Sequence, residues 1–210
     1  MNSLATTRTL AKHQRGHLSR EVITQAGLGV ARAEGVQNLT MKRLATELAV
    51  TPMAIYRHFE DKSDLIDAVL NEYVKQTDIC NHEVPTSDWA NWLRKTYSKM
   101  YDGLQSMPSI YPYISTASRF GPGASEVVTK TLEVLQDAGF SSRQATQAAN
   151  TLNGFIIGCA IMDNAFYQNL AQAEEFADDG PEQIVETGLE TGLELIISAL
   201  ENEHKIINDS

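Results

Sequence analysis

The most informative stretch for the fold runs from Leu39 to Leu65 and reads LTMKRLATELAVTPMAIYRHFEDKSDL. It predicts two short helices joined by a tight turn. Thr40 can cap the first helix, and Thr51 holds the cap position of the second. Pro52 follows at the first helical position, where its missing N–H would have no partner anyway. The second helix is expected to end near His58.

Two further helices flank this stretch. Before it, Ser19 can cap a helix that Gly35 closes, and the apolar face predicted for that helix carries Val22, Ile23, Ala26, Val30 and Ala33. After it, a helix beginning near Asp61 or Lys62 carries Leu65, Ile66, Val69, Leu70 and Tyr73 on one face. Three short helices with a tight turn between the second and third form the layout of a helix-turn-helix, whose last helix enters the major groove of DNA.

Charge is distributed unevenly along the chain. The net charge of the 210 residues is −10. From Met1 to His58, however, eight Lys and Arg residues stand against three Glu residues, a balance of +5, so the remainder carries −15. A basic head on an acidic body can bind phosphates with one part and repel them with the other.

Several short pieces of the stretch from Leu39 to Leu65 resemble the DNA-binding signature of the TetR family of bacterial regulators. They are Leu44-Ala45, Leu48-Ala49-Val50, Ile55-Tyr56, His58-Phe59, Lys62 and Leu65. The resemblance covers roughly Ser19 to Val74. It departs from the family at Ala49, where a glycine is usual. A positive φ there would cost Ala on the order of 1 kcal/mol.

The resemblance and the chemistry of the side chains together predict a DNA-binding set. Arg57 is suited to a guanine or a phosphate, and Met53 and Ala54 to thymine methyl groups. The family places backbone contacts at Tyr56, His58 and Lys62. The full predicted set is Thr40, Lys42, Thr51, Pro52, Met53, Ala54, Tyr56, Arg57, His58 and Lys62. For each polar member, a solvated surface group is the alternative.

The rest of the chain also predicts helices and no strands. They span about 89–105, 123–138, 141–169 and 181–203, with a broken segment between Pro108 and Pro122. Ser141 and Gln144 form a capping-box pattern before the longest helix. We therefore predict an all-α fold with a flexible basic arm at 1–18, a three-helix helix-turn-helix domain at 19–76, and a larger helical ligand-binding and dimerisation domain at 77–210.

The last two long helices are the predicted homodimer interface. Each carries two glycines four residues apart, Gly154 and Gly158 in one helix and Gly188 and Gly192 in the other. Glycine weakens a helix, so a close approach of another helix is a plausible compensation. Packing within one subunit is the alternative. A dimer would present paired recognition helices to palindromic half-sites about one helical turn apart.

The stretch from Leu132 to Asp163 is similar to the inducer domain of the tetracycline repressors. Those proteins hold a drug–magnesium complex with a His before a Pro and with a Glu. Here the segment 115–121, directly before Pro122, contains no His, and Met162 takes the Glu position, so we expect a different ligand. The residues predicted to line its site are Trp92, Tyr97, Met100, Tyr101, Leu104, Met107, Tyr111, Tyr113, Phe120, Asn153, Phe155, Met162 and Phe166. An ordinary hydrophobic core is the alternative for each.

Other classes of protein are disfavoured. No phosphate loop, metalloprotease motif or nucleophile elbow is present, and Cys80 and Cys159 match no metal spacing, so we predict no catalytic residue, no metal and no cofactor. No secretion signal or membrane span is evident, and we expect a cytoplasmic protein. The expected partners are operator DNA, a small-molecule inducer of unknown identity and a second copy of the chain. A DNA-binding regulator controlled by a partner protein or by abundance is the alternative.

Overall fold

A computed structural model describes residues 18–79, 88–116, 122–170 and 181–208 of the chain. These residues form helices and turns, with no strand among them, so the prediction of an all-α fold is confirmed. The chain divides into two compact units, with the boundary between Gln76 and Thr77. The basic arm predicted at 1–18 lies outside the described residues except for its last residue.

Four helices and one 3-10 turn build the first unit. They are α1 (Arg20–Glu34), the 3-10 turn Val36–Asn38, α2 (Met41–Leu48), α3 (Pro52–Tyr56) and α4 (Lys62–Thr77). The Ser19 side chain caps α1 by accepting from the backbone N–H of Val22, and Gly35 ends it with φ at 86°. α1 therefore begins after Ser19 and ends before Gly35, as the sequence predicted.

The turn between α2 and α3 places a non-glycine residue in left-handed backbone. Thr40 caps α2 by accepting from the backbone N–H of Arg43 at 3.0 Å. Ala49 follows the helix with φ 54° and ψ 43°, the strained conformation that its position in the turn predicted. α3 ends at Tyr56, two residues earlier than expected. Its end tightens because the backbone N–H of His58 bonds to the carbonyl three residues back, on Ile55.

The core of the first unit requires α1 and α4 to approach closely. A Cβ added at Gly27 would lie 2.7 Å from a methyl group of Val69, so a larger residue at that point of α1 would force the Val69 side chain or the helix to shift. The fully buried apolar side chains of this unit include Ile23, Leu28, Val36, Leu39, Leu44, Ile55, Phe59, Leu65 and Val69. Leu48 and Val50, on either side of Ala49 in the turn between α2 and α3, are half-buried.

Five helices and a second 3-10 turn build the second unit. They are α5 (Trp89–Ser106), the 3-10 turn Pro108–Ile110, α6 (Tyr111–Thr116), α7 (Pro122–Asp137), α8 (Ser142–Leu170) and α9 (Pro181–Asn208). The capping box at α8 forms as predicted: the Ser141 N–H donates to the Gln144 side chain at 2.9 Å, and the Gln144 N–H donates to the Ser141 hydroxyl. α9 continues five residues beyond the predicted end at Glu203.

Polar contacts fasten the outer helices of the second unit to one another. The Arg94 guanidinium on α5 donates to Glu194 at 2.7 Å and to Glu201 at 3.3 Å, both on α9. Farther along α9, a ring nitrogen of His204 lies 2.7 Å from the carbonyl oxygen of Ala138, just past the end of α7. Within the described part of the chain, no helix combines the length and apolarity needed to cross a membrane.

Candidate DNA interface and candidate ligand site

The short helix α3 exposes one face and buries the other. Met53 and Tyr56 are 69% and 49% exposed, whereas Ile55 between them is fully buried. Four other members of the predicted DNA-binding set lie beside them, with Thr51, Pro52 and Arg57 exposed and Ala54 half-buried. A helix of this kind offers apolar, hydroxyl and cationic groups to a partner while its inner residue holds it to the protein.

Four further predicted residues surround this helix. Lys42 and Lys62 are exposed, and Lys62 donates to the backbone carbonyl of Gln37 at 3.3 Å, which brings the start of α4 beside the turn before α2. The Thr40 hydroxyl accepts the capping bond of α2 and keeps its own hydrogen available to an acceptor. His58 is half-buried, directly after α3.

Ion pairs separate the basic residues of this unit into two groups. Arg20 pairs with Asp64, and Arg43 pairs with Glu34 and Glu47. These carboxylates raise the pKa of both guanidinium groups above the ordinary value, chiefly through hydrogen bonds. Lys42, Arg57 and Lys62 form no ion pair with a carboxylate in the described residues, so their charges are available to DNA phosphates.

Sequence reasoning did not assign roles to these paired arginines. Their role depends on carboxylates that are distant in sequence, such as Asp64 for Arg20, a separation of 44 residues. Only the i,i+4 spacing of Arg43 and Glu47 on α2 was visible as a local signal.

Most of the predicted ligand-site residues lie inside the second unit. Five are buried: Trp92, Tyr97, Leu104, Met107 and Tyr111. Five more are half-buried: Met100, Tyr101, Tyr113, Asn153 and Phe155. Met162 and Phe166 differ, because they lie on an outer face of α8 and are 72% and 40% exposed. Phe120 lies outside the described residues.

A ladder of hydrogen bonds connects three helices of the second unit. The Tyr101 hydroxyl on α5 donates to a carboxylate oxygen of Asp163 on α8 at 2.6 Å. The Gln105 amide donates to the Tyr101 oxygen at 2.7 Å and accepts from the Tyr111 hydroxyl of α6 at 3.2 Å.

Burial and the nearby Asp163 charge raise the pKa of the Cys159 thiol, so that thiol stays protonated at neutral pH.

A second polar group lies deeper between α5, α7 and α8. The buried Tyr97 hydroxyl is 3.2 Å from the Thr131 hydroxyl and 3.5 Å from the Asn153 amide nitrogen. Sequence reasoning selected Tyr97 and Asn153 but missed Thr131, Gln105 and Asp163. Their inward orientation depends on the packing of several helices, and the spacing of Tyr101 and Gln105 was the one local indication.

The four glycines of α8 and α9 differ in their surroundings. A Cβ added at Gly192 would overlap the ring of Phe155, so this glycine makes room for a contact within the subunit. At Gly154, Gly158 and Gly188, an added Cβ would meet nothing within 4 Å among the described residues. These three glycines therefore leave open helix surface.

Two matches to known families cover most of the chain. Residues 23–69 match the family described as bacterial regulatory proteins, tetR family. Residues 83–193 match the tetracycline repressor-like C-terminal domain, and this second match alone spans more than half of the 210 residues.

The chain belongs to the TetR family. It is therefore a DNA-binding transcriptional regulator and not an enzyme, which confirms the function expected from its sequence. Among its curated relatives is the tetracycline repressor protein class C of Escherichia coli. The two are 29% identical over 220 aligned positions, which cover 91% of this chain and 94% of that protein.

Solved structures share the fold of this TetR-family chain. A variant of TetR from Acinetobacter baumannii AYE in complex with minocycline aligns with a TM-score of 0.73 and 19% identity, over 90% of this chain and 99% of that one. BioQ with its double-stranded DNA operator aligns with a TM-score of 0.66 and 23% identity, over 88% and 98%. At these identities the likeness establishes the fold alone.

Proposed function

We propose that this TetR-family regulator is a cytoplasmic repressor that binds a palindromic operator as a homodimer and is released by a small molecule. The main observation behind this proposal is that α3 buries Ile55 and exposes Met53 and Tyr56. An operator bound on that face explains why a bulky thioether and a phenol remain in water. We assign residues 19–76 to DNA binding and residues 77–210 to ligand binding and dimerisation.

The proposed DNA contacts follow from exposure and charge. Met53 and Ala54 contact thymine methyl groups, and Arg57 binds a guanine edge or a phosphate. Thr40, Tyr56, His58 and Lys62 hold the phosphate backbone, and Lys42 reaches a base edge. Thr51 and Pro52 begin the helix at the groove. Phosphate contacts fix the position of the protein, and the base contacts select the sequence.

The proposed dimer interface uses the exposed faces of α8 and α9. Three glycines there have open space around them, and Met162, Phe166 and Leu195 are 72%, 40% and 67% exposed on the same two helices. Small residues beside exposed apolar ones suit a four-helix packing across a two-fold axis. We therefore move Met162 and Phe166 from the proposed ligand site to this interface.

The proposed ligand site lies around the hydrogen-bond ladder of Tyr101, Gln105, Tyr111 and Asp163. These groups offer donors and an anionic acceptor beside aromatic and thioether side chains, a combination typical of sites that orient a mainly apolar molecule. We propose an organic ligand other than a magnesium–tetracycline complex, because the segment 115–121 directly before Pro122 contains no His and Met162 occupies the position of the expected Glu.

The proposed release mechanism is a shift between two states. In one state the paired recognition helices have the separation that the operator requires, and in the other they do not. A ligand that binds the second state more tightly lowers operator affinity, and the size of the effect is limited by the difference between its affinities for the two states. Ligand screening by thermal shift tests this step, since a bound ligand stabilises the folded protein. Stabilisation by a compound that also releases DNA supports the proposal. A regulator controlled by a partner protein would show neither effect.

The DNA-binding role is tested with Tyr56→Phe and Lys62→Ala on an operator selected from random-sequence DNA. We expect each to weaken all operator variants similarly, and Lys62→Ala to reduce the slope of log affinity against log salt by about 1. Lys75→Ala is the matched control, because Lys75 is exposed in the last turn of the same helix. Unchanged operator affinity in both test variants would contradict the assigned phosphate contacts.

A further inference from the structure

The guanidinium of Arg20 touches three separate parts of the first unit. Its Nη1 donates to the backbone carbonyl of His58 at 2.6 Å. Both of its terminal nitrogens donate to the carboxylate of Asp64, Nη1 at 3.1 Å. Its central carbon lies 4.2 Å from the centre of the Phe59 ring. We call this group, made of Arg20, His58, Phe59 and Asp64, the Arg20 clamp.

Part of the clamp lies, along the chain, between two proposed contacts to the DNA backbone: Tyr56 at the end of α3 and Lys62 at the start of α4. His58 directly follows Tyr56 and Arg57, whose side chains leave the end of α3. Asp64 is in the first turn of α4, two residues after Lys62. Arg20, the first residue of α1, therefore joins the end of the recognition helix to the start of α4.

The carboxylate of Asp64 fixes the segment between these two helices. It accepts the backbone N–H of Glu60 at 3.1 Å, and the backbone N–H of Asp64 donates to a carboxylate oxygen of Asp61 at 2.9 Å. The hydrogen bond from Arg20 lowers the pKa of this carboxyl below its ordinary value, so the pair remains charged at neutral pH. His58 and Phe59 thus contact Arg20 directly, and Glu60 and Asp61 are each hydrogen-bonded to Asp64.

We propose that Arg20 is a positioning residue for DNA binding, which holds the end of α3 and the start of α4 in the register that one stretch of operator backbone requires. This inference rests on the proposed function. A planar guanidinium can bridge a carboxylate and a carbonyl while stacking on a ring, and an ammonium group cannot do all three. The Arg20 side chain is 45% exposed, so its contribution to folding is small and its effect is on geometry.

A direct phosphate contact by Arg20 is the competing explanation, and the charge of Asp64 separates the two. Removing the positive charge with Arg20→Gln weakens DNA binding under both explanations. Removing the negative charge with Asp64→Asn strengthens DNA binding if only the local potential matters. If the clamp positions the helices, Asp64→Asn weakens binding, because the guanidinium loses its anchor.

The experiment measures operator affinity and affinity for unrelated DNA across a salt series. We expect Arg20→Gln, Arg20→Lys and Asp64→Asn each to lower operator affinity about tenfold and to lower the preference for operator over unrelated DNA. The double variant Arg20→Gln/Asp64→Asn should bind the operator no more weakly than either single variant, since each substitution alone already disables the clamp. Arg43→Gln is the matched control: it breaks the ion pairs of Arg43 with Glu34 and Glu47, neither of which belongs to α3, and should change operator affinity less than twofold.

Backbone hydrogen exchange supplies a readout that needs no DNA. In Arg20→Gln we expect faster exchange at residues 57–61, and in Arg43→Gln no change there. Equal or tighter operator binding by Asp64→Asn, or unchanged exchange at 57–61 in Arg20→Gln, would overturn the proposal. If the unaltered protein shows no preferred DNA sequence, the proposed function fails, and the exchange measurement still decides whether the clamp orders this segment.

Discussion

The two units of the chain present their functional side chains in opposite ways. In the first unit, the proposed DNA contacts on α3 point outward from a small core, with Met53 69% exposed. In the second unit, most proposed ligand-site residues point inward, and several, such as Tyr101 and Tyr111, hydrogen-bond within one ladder. An outward surface suits a large partner of fixed shape, and an inward polar ladder suits a small molecule enclosed by helices.

In the first unit, the residues proposed to bind DNA are different from those that stabilise the fold, whereas in the second unit the same residues serve both the fold and the proposed ligand site. Exposed residues on α3 can change with little effect on folding, because much of their side-chain surface stays in water in the folded protein. Residues of the second unit contribute to packing and to the proposed site at once, so a substitution there affects both.

The two faces of α3 should respond differently to truncation. Ile55→Ala removes a fully buried side chain and should lower the free energy of unfolding by about 2 to 5 kcal/mol. Met53→Ala should change it by less than about 0.5 kcal/mol while lowering operator affinity. Chemical denaturation and DNA titration of both variants check this. A large loss of stability in Met53→Ala would show that the exposed face is not reserved for DNA.

Two glycines of α1 form a pair for testing close packing. Gly27→Ala places a methyl group against Val69 and should lower the free energy of unfolding by about 1 to 3 kcal/mol. Gly29→Ala lies in open space on the same helix and should raise it by about 0.5 to 1 kcal/mol, the helix-propensity gain. Thermal unfolding of both variants is the measurement, and equal shifts of the same sign would contradict the packing argument.

A Cβ added at Gly188 of α9, like one added at Gly29, would meet nothing within 4 Å among the described residues of one chain. If α8 and α9 form the dimer interface, an added methyl group at Gly188 meets the partner. We then expect Gly188→Ala to raise the dimer dissociation constant about tenfold, a change of about 1.4 kcal/mol. Sedimentation analysis over a concentration series measures this. Gly29→Ala, which should leave the dimer intact, is the control, and an unchanged dimer in Gly188→Ala would point away from this face.

The left-handed Ala49 gives the smallest predicted effect. Ala49→Gly removes the strain of φ 54° and should raise the free energy of unfolding by up to about 1 kcal/mol. Asp78 has φ 53° as well, but aspartate tolerates this conformation better, so Asp78→Gly should gain less. Thermal unfolding compares the two variants. A larger gain at Asp78 would mean that strain at Ala49 is relieved elsewhere.

The sequence predicted the first unit in more detail than the second because its signals are local. Cap residues, a proline at a helix start and a turn of defined length lie within a few positions of the contacts they specify, as Thr40 and Pro52 do. The Arg20 clamp and the ladder from Tyr101 to Asp163 join residues 44 and 62 positions apart. Such pairs depend on how helices pack, which periodicity along one helix does not encode.

The exposed positions of α8 illustrate the same limit. Helical periodicity identified Met162 and Phe166 as apolar members of α8, and it could not tell an inner face from an outer one. Their orientation follows from which sides of α8 are covered by α5, α7 and α9.

The most direct test of the account is footprinting of the purified protein on the DNA that flanks its own gene, across a salt series. The account predicts a protected palindrome whose two half-sites are about one helical turn apart, with affinity that falls steeply as salt rises. No preferred sequence there, and none recovered from random-sequence DNA, would contradict the assignment of the exposed α3 face to operator binding.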